Sequence, residues 1–166
     1  MKIFGLVGRS GSGKTTLMVA LLPALIRRGL TVSTVKHAHH GFDLDRPGKD
    51  SFRHREAGAG EVMLVAGDRW ALMHEIRDGV EPPLEELIAR LAPVDLVLIE
   101  GFHTHAHPTI EIHRPSEGHD LMWRENSDIV AVASDQPLIG VGVPVLDLDD
   151  VEAIADFVCR RVGLAG

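Results

Sequence analysis

Positive charge is in short supply in this sequence: 17 lysines and arginines stand against 24 acids, for a formal net charge of −7. That balance disfavours general affinity for nucleic acid or for an anionic membrane surface, so neither is expected as a partner, and any anion the chain holds should be small and local. Cysteine is almost absent. The single Cys159 excludes an internal disulfide, and it falls with Val151, Ile154, Ala155 and Val158 in the spacing of a buried helix face. No apolar run approaches the roughly 18 residues of a membrane span. The first residues read as a strand running into a loop and lack a signal-peptide pattern, so cytoplasmic residence is the expectation. No repeat, low-complexity segment or linker divides the 166 residues. One domain over 1–166 is therefore expected, large enough to remove about 68–70% of its unfolded surface from water.

What is present is concentrated near the start. Gly8-Arg9-Ser10-Gly11-Ser12-Gly13-Lys14-Thr15 fits G-x-x-x-x-G-K-[ST] at every fixed position, directly after the apolar run Ile3 to Val7 and before a helical pattern opening at Thr16 and Leu17. Glycines let the backbone turn its N–H groups inward as a nest for an anion, and the following helix aims its unsatisfied N–H groups at the same place. Lys14 would reach the β and γ phosphates, and the Thr15 hydroxyl would serve Mg²⁺. Gly8, Ser10, Gly11, Ser12, Gly13, Lys14, Thr15 and Thr16 are thus the expected nucleotide contacts.

Downstream, Leu17, Leu21, Leu25 and Ile26 recur at helical spacing up to a C-terminal Arg27-Arg28-Gly29, with Pro23 predicting a kink. Thr31 to Lys36 alternates as a strand. Asp50 or Ser51 opens a short helix through Glu56. Glu61 to Ala66 and Arg69 to His74 flank Gly67-Asp68 and read as an antiparallel hairpin. Pro82 and Pro83 open a helix through Leu91, Val94 to Ile99 is a strand buried on both faces, and Thr109 to His113 alternates again. Ile129 to Ala133 and Val143 to Leu146 are further strands, and a last helix runs from about Asp149 to Val162. This order predicts an α/β fold, a doubly wound, mostly parallel sheet flanked by helices, with the hairpin within it or at its edge.

Ligands of such sheets sit beyond the carboxyl ends of the strands. Asp95 and Glu100 bracket one strand and lie roughly 16 Å apart at about 3.3 Å per residue, so only Glu100 is at the phosphate end. Its carboxylate would hold Mg²⁺ or orient a nucleophilic water, and Glu100 and Lys14 are the catalytic candidates. Lys36 and His37 end the second strand, where a lysine can hold an anionic group or simply face solvent. Asp43, Asp45 and Asp50 follow in a polar stretch where one of them, taken as Asp45, can approach Mg²⁺. Asp135 follows another strand. A carboxylate there can accept both the N1–H and the exocyclic N2–H of guanine, although the Asn-Lys-x-Asp base-reading motif is absent. His37, His39, His40 and His103, His105, His107 form two clusters with no accompanying cysteines; transition-metal ligation or contact with an anion are their functional readings. Arg53, His54 and Arg55 make a local basic patch or a solvated face.

Taken together, Gly8 to Thr16, then Thr34-Val35-Lys36-His37 with Asp43, Asp45, Pro47-Gly48-Lys49-Asp50-Ser51 and Arg53-His54, then Leu98-Ile99-Glu100-Gly101-Phe102 resemble the molybdopterin-guanine dinucleotide biosynthesis protein B (MobB) family. The resemblance implies a P-loop NTPase fold of the dethiobiotin-synthetase-like branch, GTP with Mg²⁺ as ligand, slow GTP hydrolysis and a homodimer. It also implies an accessory role in attaching GMP to molybdopterin beside a MobA-type nucleotidyltransferase, with molybdopterin itself a possible ligand. The family often has lysine where this chain has His103, so a permanent positive charge is not expected there. Two other classes compete: an ATP-dependent small-molecule kinase or ligase whose acceptor is held by Lys36 and the loop after it, and an adapter whose glycine loop is vestigial.

Overall fold

Eight strands and four α-helices are interspersed along the described residues of a computed structural model, which describes residues 1–38, 41, 44–102 and 106–164. The contacts gather into two compact units, Met1–His37 with Ile88–Gly166, and Ala38–Leu87. The first unit is built on a six-stranded sheet of β1 (Lys2–Val7), β2 (Val32–Lys36), β5 (Leu96–Glu100), β6 (Thr109–His113), β7 (Ile129–Ser134) and β8 (Val145–Asp147) in the order β2-β5-β1-β6-β7-β8. Every pairing is parallel. All carboxyl ends therefore lie on one edge of the sheet, which brings the last residues of β1, β2, β5, β6 and β7 to the same side.

Helices α1 (Lys14–Arg27) and α4 (Val151–Val162) pack against each other and against the strands. Their apolar faces, with Leu17, Leu21, Leu25, Ile154 and Val158, close a core over Phe4, Leu6, Leu96, Leu98, Ile110 and Ile112. Cys159 is 1% exposed within that core, as its spacing predicts. Arg28 at the end of α1 pairs with Glu152 and Asp156 of α4, at 2.7 and 2.6 Å. Pro23 sits on the exposed side of α1, which continues unbroken from Lys14 to Arg27. The carbonyl that loses its donor there can be hydrated instead. α4 opens on Asp150, whose carboxylate accepts the Ala153 amide at 3.0 Å, and closes on Gly163.

Two strands differ from the sequence reading in informative ways. β5 begins at Leu96 and not at Val94, because Asp95 is spent on Thr31: its carboxylate accepts the Thr31 amide at 2.8 Å and the Thr31 hydroxyl at 2.6 Å. That pin ties the starts of β2 and β5, and Leu96, Val97, Leu98 and Ile99 behind it are all fully buried. β6 alternates in sequence, yet Thr109 to His113 are all buried: Ile110 and Ile112 join the core that α1 and α4 close, and on the other face the segment carrying Met122 and Trp123 lies against Glu111.

The second unit holds α2 (Asp50–Glu56) and the hairpin of β3 (Glu61–Val65) and β4 (Trp70–His74). The hairpin turns at Gly67-Asp68 as the sequence indicates, with the Ala66 amide donating to the Arg69 carbonyl at 2.8 Å. It forms a separate two-stranded antiparallel sheet, neither within the parallel sheet nor at its edge. Helix α3 (Leu84–Ala89) follows, shorter than the sequence reading, which extends it to Leu91. Among the described residues no helix is long and apolar enough to cross a membrane.

Candidate functional site

The glycine loop leaves β1 and feeds α1 at the carboxyl edge of the sheet. Its glycines answer two different demands. At Gly8 a Cβ would lie 2.5 Å from the carbonyl oxygen of Ile112 in β6 and 2.6 Å from Ser12 Oγ, so nothing larger than hydrogen fits. Gly13 caps α1 with φ 98°, in the left-handed region that side chains avoid. No side chain caps α1 and no acid occupies its first turn, so the N–H groups and the positive end of its dipole remain available to an anion. Gly8 is half-buried, Ser12 buried, and Ser10, Gly11, Thr15 and Thr16 exposed.

Lys14 folds back along the loop. Its ammonium donates to the carbonyls of Gly8 at 2.8 Å and Arg9 at 2.9 Å. Burial pushes its pKa below the ordinary lysine value; Glu100 opposes that and Lys36 adds to it. An approaching anion would favour the charged form of Lys14.

Opposite the loop stands Glu100, the last residue of β5 and 6% exposed. Its Oε1 accepts the Thr15 hydroxyl at 3.0 Å and the Lys36 ammonium at 2.6 Å. The sheet register explains the meeting: Lys36 on β2 and Leu6 on β1 are the neighbours of Glu100 across the two ladders. His37 follows, its amide donating to the Glu100 carbonyl at 2.9 Å and its ring 4.5 Å from that of Phe102. Thr15 and Glu100 offer a hydroxyl and a carboxylate oxygen side by side, the hard oxygen donors that Mg²⁺ accepts. The residues therefore fit the ion.

The same edge carries Asp135, just beyond β7. One carboxylate oxygen pairs with Arg114, and the other is buried with no hydrogen-bond partner among the described residues. Arg114 follows β6 and also donates from Nε to the Ser12 carbonyl at 3.2 Å. The sequence reading passed over Arg114, although the rule that singles out Lys36, Glu100 and Asp135, position at a strand's carboxyl end, applies to it equally. It also passed over Glu111, which is 1% exposed within β6 and accepts the amides of Met122 at 2.8 Å and Trp123 at 3.0 Å. Glu111 thereby anchors the segment after the one-turn 3₁₀ helix Pro115–Glu117 to the central sheet.

Asp45 belongs to the second unit, where its carboxylate accepts from the Ser51 hydroxyl at 2.7 Å and from Arg55 at 3.4 Å. The Ser51 hydroxyl is the main cause holding its carboxyl below the usual range. Arg55 of the basic patch is committed to Asp45 and, at 2.8 Å, to Glu75, while Arg53 and His54 are exposed. His39, His40, Asp43, His103 and His105 lie outside the described residues, and the described ones contain no group of three or more His, Cys, Asp or Glu suited to a metal ion. His107 is buried at the amino end of β6, away from the loop.

A glycine loop between the first strand and first helix of a parallel sheet, faced by an acid at the end of the adjacent strand, places the chain in the P-loop NTPase class of α/β folds. Within that class the chain belongs to the family described as molybdopterin guanine dinucleotide synthesis protein B, whose model matches residues 3–135. It is 44% identical over 154 residues to the molybdopterin-guanine dinucleotide biosynthesis adapter protein of Escherichia coli K12, covering 90% of this chain and 86% of that one. To the adapter protein of the same description from Haemophilus influenzae it is 40% identical, covering 94% and 86%. The crystal structure of a MobB homologue from Bacillus stearothermophilus superposes with a TM-score of 0.72 at 28% identity, over 98% of this chain and 99% of that one.

Proposed function

We propose that this chain is a cytoplasmic GTP-binding, weakly GTP-hydrolysing adapter in molybdopterin-guanine dinucleotide biosynthesis. The observation that carries the nucleotide part is the Thr15 hydroxyl 3.0 Å from the Glu100 carboxylate at the head of an uncapped helix. The pathway part rests on the adapter proteins to which the chain is 44% and 40% identical.

In this reading the loop amides of residues 8–16 bind the phosphates, and Lys14 exchanges two backbone carbonyls for phosphate oxygens. Thr15 and Glu100 hold Mg²⁺, which when bound neutralises charge on the phosphate oxygens. Lys36, now paired with Glu100, is released toward an anionic group, and His37 borders the same edge. Asp135 accepts from guanine. Acting as an adapter, the protein presents GTP to a MobA-type transferase that joins GMP to molybdopterin.

A homodimer fits the second unit. Val65 pairs with Trp70 and Met63 with Leu72 across the hairpin, which puts all four on one face of the two-stranded sheet, and they are 74%, 65%, 57% and 41% exposed. A two-stranded sheet with an apolar face is marginal alone in water and gains stability when that face is covered.

Calorimetric titration with GTP and with ATP, each with Mg²⁺, tests the proposal. GTP should bind and ATP should bind at least tenfold more weakly. A preference for ATP would favour the kinase or ligase reading, and an affinity unchanged in Lys14→Ala would favour a vestigial loop.

A further inference from the structure

Arg114 touches both the glycine loop and the acid beyond β7. Its Nε donates to the Ser12 carbonyl at 3.2 Å, and its Nη1 pairs with Asp135 Oδ2. Its Nε and Nη2 atoms also lie 3.6 Å from where a Cβ on Gly13 would stand, so the guanidinium lies along the loop just before α1. Both partners are largely shielded, with 31% of the Arg114 side chain and 21% of the Asp135 side chain exposed. Asp135 Oδ1 is buried and has no hydrogen-bond partner among the described residues. Leaving a carboxylate oxygen in that condition is costly unless a ligand donor meets it.

We infer that Arg114 is a positioning residue for purine recognition: it fixes Asp135 by one oxygen, ties it to the phosphate loop through Ser12, and leaves the second oxygen to accept from a purine with adjacent N–H donors. The inference rests on the nucleotide-binding reading above and adds to it the group that sets base choice. A guanidinium suits the task because its planar fork presents donors in two fixed directions at once, toward a backbone carbonyl and toward a carboxylate. A lysine ammonium can hold Asp135 as a point charge but does not fix the plane of the carboxylate. Guanine presents N1–H and N2–H side by side, hypoxanthine only N1–H, and adenine neither in that arrangement. The orientation of Asp135 therefore matters most for the N2 amino group, and the comparison of GTP with ITP isolates it.

The test is titration of GTP, ITP and ATP, each with Mg²⁺, into the wild-type protein and into Arg114→Gln and Arg114→Lys. The wild type should bind GTP roughly tenfold or more tightly than ITP, the value of one hydrogen bond to a charged acceptor. In Arg114→Gln that ratio should fall to about threefold or less, and Arg114→Lys should recover affinity for all three nucleotides in greater part than it recovers the ratio. Should Arg114→Gln fail to fold, Arg114→Lys reads the same ratio. A GTP:ITP ratio unchanged in the variants, or equal losses for GTP, ITP and ATP, would overturn the inference and leave Arg114 as a brace of the loop alone. Absence of GTP binding by the wild type would overturn the nucleotide reading together with it.

Discussion

Replacing Glu100 by glutamine separates a metal-holding role from a structural one, because the two predict effects of opposite size on stability and on binding. Glutamine keeps an oxygen where Oε1 now accepts from Thr15 at 3.0 Å and Lys36 at 2.6 Å, while it removes the charge and turns Oε2 into an NH2 donor. The ion pair lost is modest: the Lys36 side chain is 61% exposed, and pairs with one solvated partner contribute about 0–1 kcal/mol. For a chain of this size a loss of about 1 kcal/mol lowers the melting temperature by roughly 2–4 °C. The carboxylate's charge matters far more to a divalent cation. Losing it should weaken Mg²⁺-dependent GTP binding by about tenfold or more, or about 1.4 kcal/mol at the least, while binding of GTP in excess chelator stays within about threefold of wild type. Scanning fluorimetry of the free protein and calorimetry with and without Mg²⁺ read the two quantities. A Glu100→Gln protein with undiminished Mg²⁺ dependence would refute the assignment. So would a fall in melting temperature of 10 °C or more, which would show that the carboxylate serves the fold.

Gly8→Ala should cost about 1–3 kcal/mol, toward the upper end, because the added methyl meets the Ile112 backbone carbonyl of the central strand β6, which has no room to retreat; chemical unfolding within a few tenths of a kcal/mol of wild type would contradict the packing. Glu111 supplies a pH signature. Burial pushes its carboxyl above the ordinary value of 4.5, against the downward pull of the Met122 and Trp123 amides, His113 and Arg9. A folded pKa above the unfolded one means the native state binds the proton more tightly, so this group favours folding most below the unfolded pKa, and that contribution is lost as pH rises through the folded pKa. Unfolding free energies measured from about pH 4 to pH 7 should therefore fall more steeply for wild type than for Glu111→Gln, and parallel profiles would remove the assigned shift. If the proposed homodimer uses the exposed face of the hairpin, the wild type should scatter light as two subunits and Trp70→Lys or Met63→Lys as one; a wild-type mass of one subunit would overturn the dimer, and two-subunit variants would place its contact elsewhere.

The parts of the site that were legible in the sequence are those set by local pattern and by one topological rule. The glycine loop is contiguous, so its glycines, Lys14 and Thr15 could be assigned roles by spacing. Glu100 could be preferred over Asp95 because a strand has two ends and only one faces the loop, and the structure puts Glu100 against Thr15 and pins Asp95 to Thr31 at the other end. The hairpin was legible from Gly67-Asp68, but not its separation from the main sheet, since strand pairing beyond a turn is decided by long-range registry.

Glu111 and Arg114 mark where such reading stops. Alternation in Thr109 to His113 ordinarily signals one wet face. Here that face is covered by a distant segment, whose amides at residues 122 and 123 supply the donors that let the Glu111 carboxylate be buried. A period of two records which residues share a face, not whether that face is later covered. Arg114 poses the complementary case. Its position at a strand's carboxyl end was readable, but its meaning depends on meeting Ser12, 102 positions earlier, and Asp135, 21 positions later. An isolated Asp135 reads as a free carboxylate awaiting a base; an Asp135 held by Arg114 has one oxygen already spoken for and its orientation set by the phosphate loop. The chemistry proposed for that acid thus depends on a contact no local pattern encodes, and the base selectivity proposed above would belong to the Ser12, Arg114 and Asp135 assembly instead of a single side chain.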